Sequence, residues 1–402
     1  AADHAGPAIV LSFVVAGIGC AFAGLCYAEL ASMIPQSGSA YTYAYAAFGR
    51  FVGFIIGWDL TLEYGVAAST VAVGWGGYFK AVMKDIGLTV PEALSSAPLA
   101  RGEDGGLVWT EAIINIPALV IVALITALLF VGIRTSATFN GAMVLLKVAV
   151  VLLVILFGLP LIDVGNLTPL VPENTGKFGE FGWSGILAGA GVIFFAYIGF
   201  DTVSVAAQEA RNPQRDMPIG ILGSLAICTV LYILMSLTMT GLAHYSTLGV
   251  ENPVTVAVNA GGDEIAWLRP LVNLGALTGL STVILVSLYG QTRIFYAMSR
   301  DGFLPNIFAR IHPQFRTPST STLIIGALVA LLAGLFPLDF LGDIVSAGTL
   351  LAFILVCVGV IVLRSTKPNA SRPFVVPISP VIPILGVIVC GAMLYPLLET
   401  TW

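Results

Sequence analysis

Residues 185–201 read Gly185-Ile-Leu-Ala-Gly189-Ala-Gly191-Val-Ile-Phe-Phe-Ala-Tyr-Ile-Gly199-Phe-Asp201, an apolar run interrupted by glycine and aromatic residues. Gly199 can relax the backbone near the end of this run. A break there would leave the carbonyl groups of Phe195, Ala196 and Ile198 outside the helical ladder, free to accept hydrogen bonds from an ammonium group. The alternative is a continuous helix whose glycines allow close packing against neighbouring helices. The pattern leaves both interpretations open.

The composition of the 402-residue chain is that of a membrane protein. Hydrophobic residues make up 57% of it and charged residues 10%, with a mean hydropathy of +0.97. Soluble domains usually carry about 25% charged residues, so a soluble enzyme is excluded. At about 20 residues per span, the length allows about ten or twelve transmembrane helices. The net charge of −5 does not indicate nucleic-acid binding.

Ten apolar segments, separated by clusters of Gly, Pro and charged residues, predict an all-α, multi-pass membrane fold. The segments are 7–32, 41–79, 112–133, 137–162, 183–208, 217–243, 266–298, 319–336, 340–363 and 381–397. The second and the seventh are longer than a bilayer requires, which indicates tilt or extension into the interface. These two helices are five apart, which suggests a repeat of five helices.

The basic residues divide unevenly between the two sides of the predicted membrane. Eleven lie on one side and five on the other, so the positive-inside rule places the first side in the cytoplasm. The eleven are Arg50, Arg134, Arg211, Arg215, Arg293, Arg300, Arg310, Arg316, Arg364, Lys367 and Arg372. Both chain ends then face outward, which predicts one further span before Ala1.

With that span restored, each half contains five helices, and the odd number inverts the second half in the membrane. Inverted repeats are a common plan of secondary transporters, whose substrate binds near mid-membrane at an interrupted helix. The predicted units are a first repeat over residues 1–162, a second repeat over 183–363 and a last helix over 381–402.

Lys147 stands inside the fourth predicted span, in Val144-Leu-Leu-Lys147-Val-Ala-Val-Val. A lysine at the centre of a span costs about 2.5–3.5 kcal/mol on insertion scales, so the side chain should face the bundle interior. Because a neutral amine avoids most of that cost, Lys147 is predicted to gain and lose a proton in the working range. A purely structural lysine, bonded to a carbonyl or a carboxylate, is the alternative.

Four acidic residues are predicted within or at the ends of spans. Asp59 and Glu63 stand four apart on the long second helix and share a face, which is compatible with a proton relay or with a satisfied contact between helices. Glu29 and Asp201 lie towards the cytoplasmic ends of their spans, where a solvated or loop-capping role is expected.

The sequence lacks signatures of catalysis. No spacing of His, Cys and acidic residues indicates a metal site, and no Gly-rich loop of the nucleotide-binding type is present. No nucleophile with a base and no repeated filter loop supports an intramembrane enzyme or an ion channel. We therefore predict no cofactor, no metal, no catalytic residue and no nucleic-acid partner.

Two sets of motifs run in order along the chain. The first half contains Tyr27-Ala-Glu-Leu30, Pro35-Gln-Ser-Gly-Ser-Ala-Tyr-Thr-Tyr43, Gly57-Trp58 and Leu62-Glu-Tyr64. The second half contains Phe200-Asp201, Glu209-Ala-Arg-Asn-Pro-Gln-Arg-Asp-Met-Pro-Ile-Gly-Ile221, Gly290-Gln-Thr-Arg293, Met298-Ser-Arg-Asp-Gly-Phe-Leu-Pro305, Thr317-Pro318 and Arg372-Pro-Phe374. This set resembles the amino acid–polyamine–organocation (APC) superfamily, and within it the cationic amino acid transporter branch and its bacterial relatives.

The resemblance implies a LeuT-type five-plus-five inverted repeat, in which the ten helices correspond to family helices 2 to 11. It implies that the substrate amine binds the carbonyl groups of Phe195, Ala196 and Ile198 on broken helix six. Gly199 would then lie at the break, with Phe194 or Phe195 as a gate. The substrate carboxylate would bind broken helix one.

The resemblance also implies a role for Lys147 in proton coupling. In proton-coupled relatives a lysine on the fifth helix occupies the place where sodium-coupled members hold an ion, and Lys147 falls on that position. Ser281 or Thr282 of the eighth helix would be its neighbours. Protonation of Lys147 would hold helices one, five and eight together, and deprotonation would loosen them.

The chain departs from the family pattern in two respects. Arg50 follows Gly49 where the family often has Glu, a change that we interpret as tolerated on the cytoplasmic side. The Gly-rich first helix is predicted to be absent, together with the C-terminal end beyond the eleventh helix, so the carboxylate site cannot be assigned to residues.

The sequence as a whole predicts an amino acid permease of a bacterial plasma membrane. The predicted activity is proton-coupled symport of small neutral or cationic L-amino acids by alternating access. Neutral substrates are favoured because no acidic residue in the pocket-lining parts of helices six and eight is evident as a partner for a cationic side chain. Its predicted partners are the amino acid, protons and membrane lipid; oligomeric state and accessory subunits are not indicated. The alternatives are a proton-independent exchanger and a transport-dead sensor that binds amino acids.

Overall fold

The computed structural model describes residues 2–35, 38–102, 106–132, 137–204 and 210–401 of the chain. Five residues named from the sequence, Ala1, Gln36, Ser37, Arg134 and Glu209, lie outside these ranges. The α-helices are α1 (Ala2–Ala5), α2 (Ile9–Met33), α3 (Ser39–Phe48), α4 (Arg50–Leu60), α5 (Ala67–Asp85), α6 (Ile116–Val131), α7 (Ala137–Gly158), α8 (Gly182–Ile193), α9 (Pro213–Leu242), α10 (Pro253–Ala260), α11 (Leu268–Arg300), α12 (Ser319–Leu335), α13 (Leu338–Thr366) and α14 (Val381–Thr401).

The described residues form a helical membrane protein. Eight helical spans are long and apolar enough to cross a bilayer, and α6 and α12 are shorter apolar helices. The helix α13 is mostly buried, with 61% of its apolar stretch inside the protein, whereas α7 and α9 have 17% of theirs buried. Because apolar helices need no cover in lipid, α7 and α9 present most of their surface to the bilayer.

The long helix predicted over residues 41–79 is divided into pieces. The helix α3 ends at Phe48, and Gly49 turns the chain with a φ of +85°, a conformation that favours glycine. After α4 the backbone forms a π-helical turn, Thr61–Val66, before α5 begins at Ala67. The prediction of one continuous helix was wrong here, because a single glycine and a wide turn leave the apolar pattern intact.

Arg50, the residue that departs from the family pattern, lies on the surface directly after Gly49. Its guanidinium group stacks over the ring of Phe303 at 5.3 Å from the centroid and donates a hydrogen bond to the Asp301 carbonyl at 3.4 Å. The Tyr41 hydroxyl donates to the Asp301 carboxylate at 2.5 Å, and burial together with this carboxylate raises the pKa of Tyr41. The segment after α11 is thereby fastened to α3 and α4.

A two-stranded antiparallel hairpin, β1 (Leu99–Arg101) and β2 (Leu107–Trp109), stands between α5 and α6. The prediction of an all-α fold was therefore wrong in this detail, because strands of three residues are too short to show a period. The helix α6 also starts later than predicted, at Ile116, where the Asn115 side chain accepts a hydrogen bond from the Ala118 amide at 3.2 Å. Arg101 fastens the hairpin to α13 through an ion pair with Asp343 at 2.7 Å.

Glu29 forms the centre of a buried ion-pair cluster that joins α2 to the other end of the chain. Its side chain is 2% exposed. Arg364 of α13 donates to both carboxylate oxygens, at 3.0 and 2.5 Å, and the Val376 amide donates to one of them at 2.7 Å. The Arg372 guanidinium lies 3.4 Å from the other oxygen. The expected loop-capping role is therefore correct, but the expected solvation is not.

Candidate functional site

The apolar run over residues 185–201 is interrupted in the structure. The helix α8 ends at Ile193, a 3₁₀ turn follows over Phe194–Tyr197, and Gly199 has a φ of +129°. The predicted break near Gly199 is thus confirmed, and the alternative of a helix continuous to Asp201 is wrong. The helix predicted over 183–208 ends early, and residues 205–208 lie outside the described ranges.

The three carbonyl groups assigned to the amine site differ in their hydrogen bonding. The Phe195 carbonyl accepts from the Ile198 amide at 3.2 Å, and the Ala196 carbonyl accepts from the Tyr232 hydroxyl at 2.7 Å. Among the described residues no donor bonds to the Ile198 carbonyl. A carbonyl oxygen has two lone pairs, so Ala196 can accept a second hydrogen bond. Ile198 is therefore the most open acceptor of the three.

The two phenylalanines proposed as a gate occupy different environments. Phe194 is fully buried, and its ring packs edge-on against Phe353 of α13 at 5.2 Å between centroids. Phe195 is only partly buried. A gate must move between two positions without opening a cavity in a packed core. The geometry therefore favours Phe195 as the mobile ring and Phe194 as part of the frame.

Asp201 stabilises the break in α8 by accepting a hydrogen bond from its backbone. One carboxylate oxygen accepts the Gly199 amide at 3.1 Å, and the other accepts the Tyr64 hydroxyl at 2.7 Å. The aspartate is fully buried, so the solvated role expected for it was wrong, although it does cap the irregular backbone. Because Tyr64 belongs to the π-helical turn, this bond joins the first half of the chain to the interrupted helix.

Glu63 lies in the same π-helical turn and is fully buried beside Asp201. Neither of its carboxylate oxygens has a hydrogen-bond partner within the described part of the chain. Asp59 is 8% exposed, and one of its oxygens also has no partner among the described residues. Buried carboxylates without donors are costly when ionised. The three acids Glu63, Asp59 and Asp201 can therefore bind a proton or a cation. The π-helical turn that carries Glu63 is a second indication, because such turns are frequent at functional sites.

Lys147 contacts α11 from the partly buried side of α7. Its ammonium group donates a hydrogen bond to the Thr282 hydroxyl, and its aliphatic stem packs over Gly279. The Ser281 hydroxyl bonds instead to the Leu277 carbonyl at 2.7 Å. Of the two neighbours that the resemblance implies, Thr282 accepts a hydrogen bond from Lys147 and Ser281 bonds within its own helix.

Comparison with known proteins identifies the family. A family model described as amino acid permease matches residues 1–399 of the chain. The chain belongs to the amino acid permease family. It follows that the predicted superfamily is confirmed and that this permease is a transporter and not an enzyme. The match spans nearly the whole chain, so it gives no support to the prediction that the family's first helix and C-terminal end are missing.

Several relatives among the curated proteins are similar to the permease over most of its length. The methylthioribose transporter of Bacillus subtilis (strain 168) is 44% identical over 100% of this chain and 83% of its own length. The branched-chain amino acid permease BcaP of the same strain is 44% identical, over 99% and 82%. The vacuolar cationic amino acid transporter 4 of Arabidopsis thaliana is 38% identical, over 92% and 59%. These relatives are named for different substrates.

Two residues of the site were missed by sequence reasoning. Tyr232 on α9 donates to the Ala196 carbonyl, but nothing in its apolar surroundings distinguishes it before the fold is known. Tyr64 belongs to the Leu62-Glu-Tyr64 motif but received no role, although a tyrosine beside a glutamate inside a predicted span was a usable signal. The Tyr232 hydroxyl bonds to the interrupted backbone itself, and the Tyr64 hydroxyl bonds to Asp201, which caps it.

We expect Gly199→Ala to weaken substrate transport several-fold. A Cβ atom at this position would meet no atom within 4 Å, so its cost comes from the backbone conformation, which is about 1–3 kcal/mol for such strain. The break would shift and move the Ile198 carbonyl. The matched control is Gly223→Ala in α9, whose Cβ also meets nothing within 4 Å but whose backbone is helical. Uptake kinetics of both variants check the prediction, which equal kinetics would contradict.

Proposed function

We propose that the permease is a proton-coupled symporter of small neutral or cationic L-amino acids, working by alternating access in the plasma membrane of a bacterium. The observation that carries the proposal is the interruption of α8 at Phe194–Gly199, which leaves an open carbonyl beside buried carboxyl groups. The apolar helices would belong to a LeuT-type five-plus-five inverted repeat, with four of them in the first repeat (residues 1–162), five in the second (183–363) and the last, α14, outside both. The family membership supports the amino acid as the class of substrate.

In this proposal the substrate amine is held at the break. An ammonium group has three donors and needs acceptors in a dry pocket. The Ile198 carbonyl offers a free acceptor, and the carbonyl groups of Phe195 and Ala196 each keep a second lone pair. Phe195 would close over the bound amino acid. The partners of the substrate carboxylate are not assigned.

Proton coupling is proposed for Lys147. Its hydrogen bond to Thr282 joins α7 to α11, so loss or rearrangement of that bond would change how the two helices pack. Charge on an amine within a bilayer is costly, so the proton should leave when no partner compensates it. Glu63 and Asp59 are proposed as a proton relay because both are buried and carry oxygens without donors among the described residues.

Two observations bear on the substrate class in opposite directions. The relatives of 44% identity are named for methylthioribose and for branched-chain amino acids, which favours a neutral substrate. The adjacent buried acids Glu63 and Asp201 favour a cationic substrate, since they would offer negative charge close to the break in α8. This pair could not be predicted from the sequence, because the two residues come from different halves of the chain.

Uptake by the full-length protein in proteoliposomes tests the proposal. We expect accumulation of radiolabelled alanine, or of arginine if the acidic pair selects cations, and a higher accumulation under an inward proton gradient. Counterflow that ignores the gradient would replace symport with exchange of substrate for substrate. Stabilisation by an amino acid without any flux would indicate a sensor. Uptake of methylthioribose with no amino acid transported would contradict the substrate class.

A further inference from the structure

The segment between Asp301 and Asp339 contains no acidic residue, yet it carries two exposed arginines, Arg310 and Arg316. Within the described residues neither guanidinium group has an ion-pair or hydrogen-bond partner. The rest of the basic side does not share this feature throughout, since Arg364 and Arg372 are paired with Glu29. The two free arginines are therefore available to an external anion.

Hydrogen bonds close a turn in the segment that carries the two arginines. The His312 amide donates to the Thr317 carbonyl at 2.8 Å, and the Arg316 amide donates to the His312 carbonyl at 2.9 Å. The His312 ring nitrogen Nδ1 accepts from the Phe315 amide at 3.3 Å. These bonds close a turn over residues 312–317. Arg310 lies two residues before this turn and Arg316 lies within it, so both side chains belong to the same short ordered segment.

The turn sits at the ends of two helices that face lipid. The Thr317 hydroxyl donates to the Phe130 carbonyl at 2.9 Å, and the rings of His312 and Phe315 pack on Phe130 near the end of α6. The helix α12 begins two residues after the turn and exposes a large apolar surface. Its exposed residues are Leu323, Ile324, Leu328 and Leu331.

Ile311 adds an exposed apolar side chain to the segment that carries Arg310 and Arg316. Its side chain is 53% exposed although it lies between two charged or polar neighbours in an ordered segment. An apolar side chain beside arginines, at the end of a lipid-facing helix, matches the boundary between acyl chains and headgroups. Basic residues at this boundary attract anionic lipids.

We propose that Arg310 and Arg316 bind the phosphate of an anionic phospholipid in the leaflet on the basic side of the membrane, with Ile311 in contact with its acyl chains. A free phosphate ion would satisfy the charges but leave Ile311 in water, so the lipid is the better fit. The site is separate from the break in α8, and the proposal does not depend on the transported substrate.

Native mass spectrometry of the full-length protein, with phosphatidylglycerol or phosphatidylcholine added in detergent, tests the site. We expect phosphatidylglycerol to bind more tightly than phosphatidylcholine. The double variant Arg310→Gln/Arg316→Gln should lose roughly thirty-fold in apparent affinity for phosphatidylglycerol, from about 1 kcal/mol per basic residue. The single variant Ile311→Ser should weaken binding by a smaller factor.

The matched control is Arg211→Gln/Arg215→Gln, which removes the same charge from exposed arginines on the same side. It should keep the affinity for phosphatidylglycerol within a few-fold of the parent. An equal loss in both double variants would overturn the proposal, because net charge and not a site would then govern binding. Displacement of the lipid by inorganic phosphate at low millimolar concentration would also overturn it, as would unchanged binding in the Arg310/Arg316 variant. Size-exclusion profiles and circular dichroism show that the variants are folded.

Discussion

Replacement of Lys147 by alanine is expected to abolish the part of amino acid uptake that depends on a proton gradient. The change removes the amine that bonds to Thr282 and the aliphatic stem that packs over Gly279. Without a group between α7 and α11 that gains and loses a proton, proton movement is no longer coupled to substrate movement. Accumulation with an inward gradient should therefore fall to the level measured without one, while substrate binding at the break is retained.

Two controls separate coupling from damage to the fold. Lys84→Ala removes an exposed lysine at the end of α5 and should leave the gradient dependence unchanged. Thr282→Val removes the acceptor but keeps the amine, so it should shift the pH dependence of uptake and not eliminate it. Full gradient-driven accumulation by the Lys147→Ala variant would refute the coupling role, whatever the controls show.

Glu29→Ala should destabilise the protein more than any other single change in the described ion-pair network. The substitution leaves Arg364, Arg372 and the Val376 amide without their shared acceptor in a buried place. Removing one partner of a buried ion pair costs about 3–5 kcal/mol. We expect the midpoint of thermal unfolding in detergent to fall by many degrees, and the loop between α13 and α14 to become sensitive to proteolysis.

The exposed pair Lys177 and Glu180 provides the comparison, since its side chains are 78% and 43% exposed. The Thr175 hydroxyl and the Lys177 ammonium lower the pKa of Glu180, so this carboxylate is ionised at neutral pH, but water screens its interactions. Glu180→Ala should leave the unfolding midpoint nearly unchanged. An equally small effect of Glu29→Ala would show that the ion-pair cluster around Glu29 does not stabilise the fold.

The sequence predicts those parts of the site that leave a local trace. The break could be located because Gly199 ends a glycine-rich apolar run, and Lys147 was conspicuous because a charge inside a span is costly. Its partner Thr282 followed only from the family resemblance. The candidate helices were placed within a few residues where Pro or Gly marks their ends, as for α12, which begins at Ser319 directly after Pro318.

Features that depend on distant contacts were not predictable. The π-helical turn at Thr61–Val66 changes which residues face the break, but it leaves the apolar pattern of the helix unaltered. The proximity of Glu63 to Asp201 requires the two halves of the chain to pack, and so does the bond from Tyr232 to Ala196. Glu29 was expected near water because its buried arginine partners follow it by more than 300 residues.

The most direct measurement is proton movement driven by substrate alone. Proteoliposomes that contain the full-length protein and a trapped pH-sensitive dye would receive the transported amino acid with no proton gradient imposed. The account predicts that the lumen acidifies as the amino acid enters, and that the Lys147→Ala variant gives no acidification. Entry of the labelled amino acid at an undiminished rate with a constant lumenal pH would contradict it.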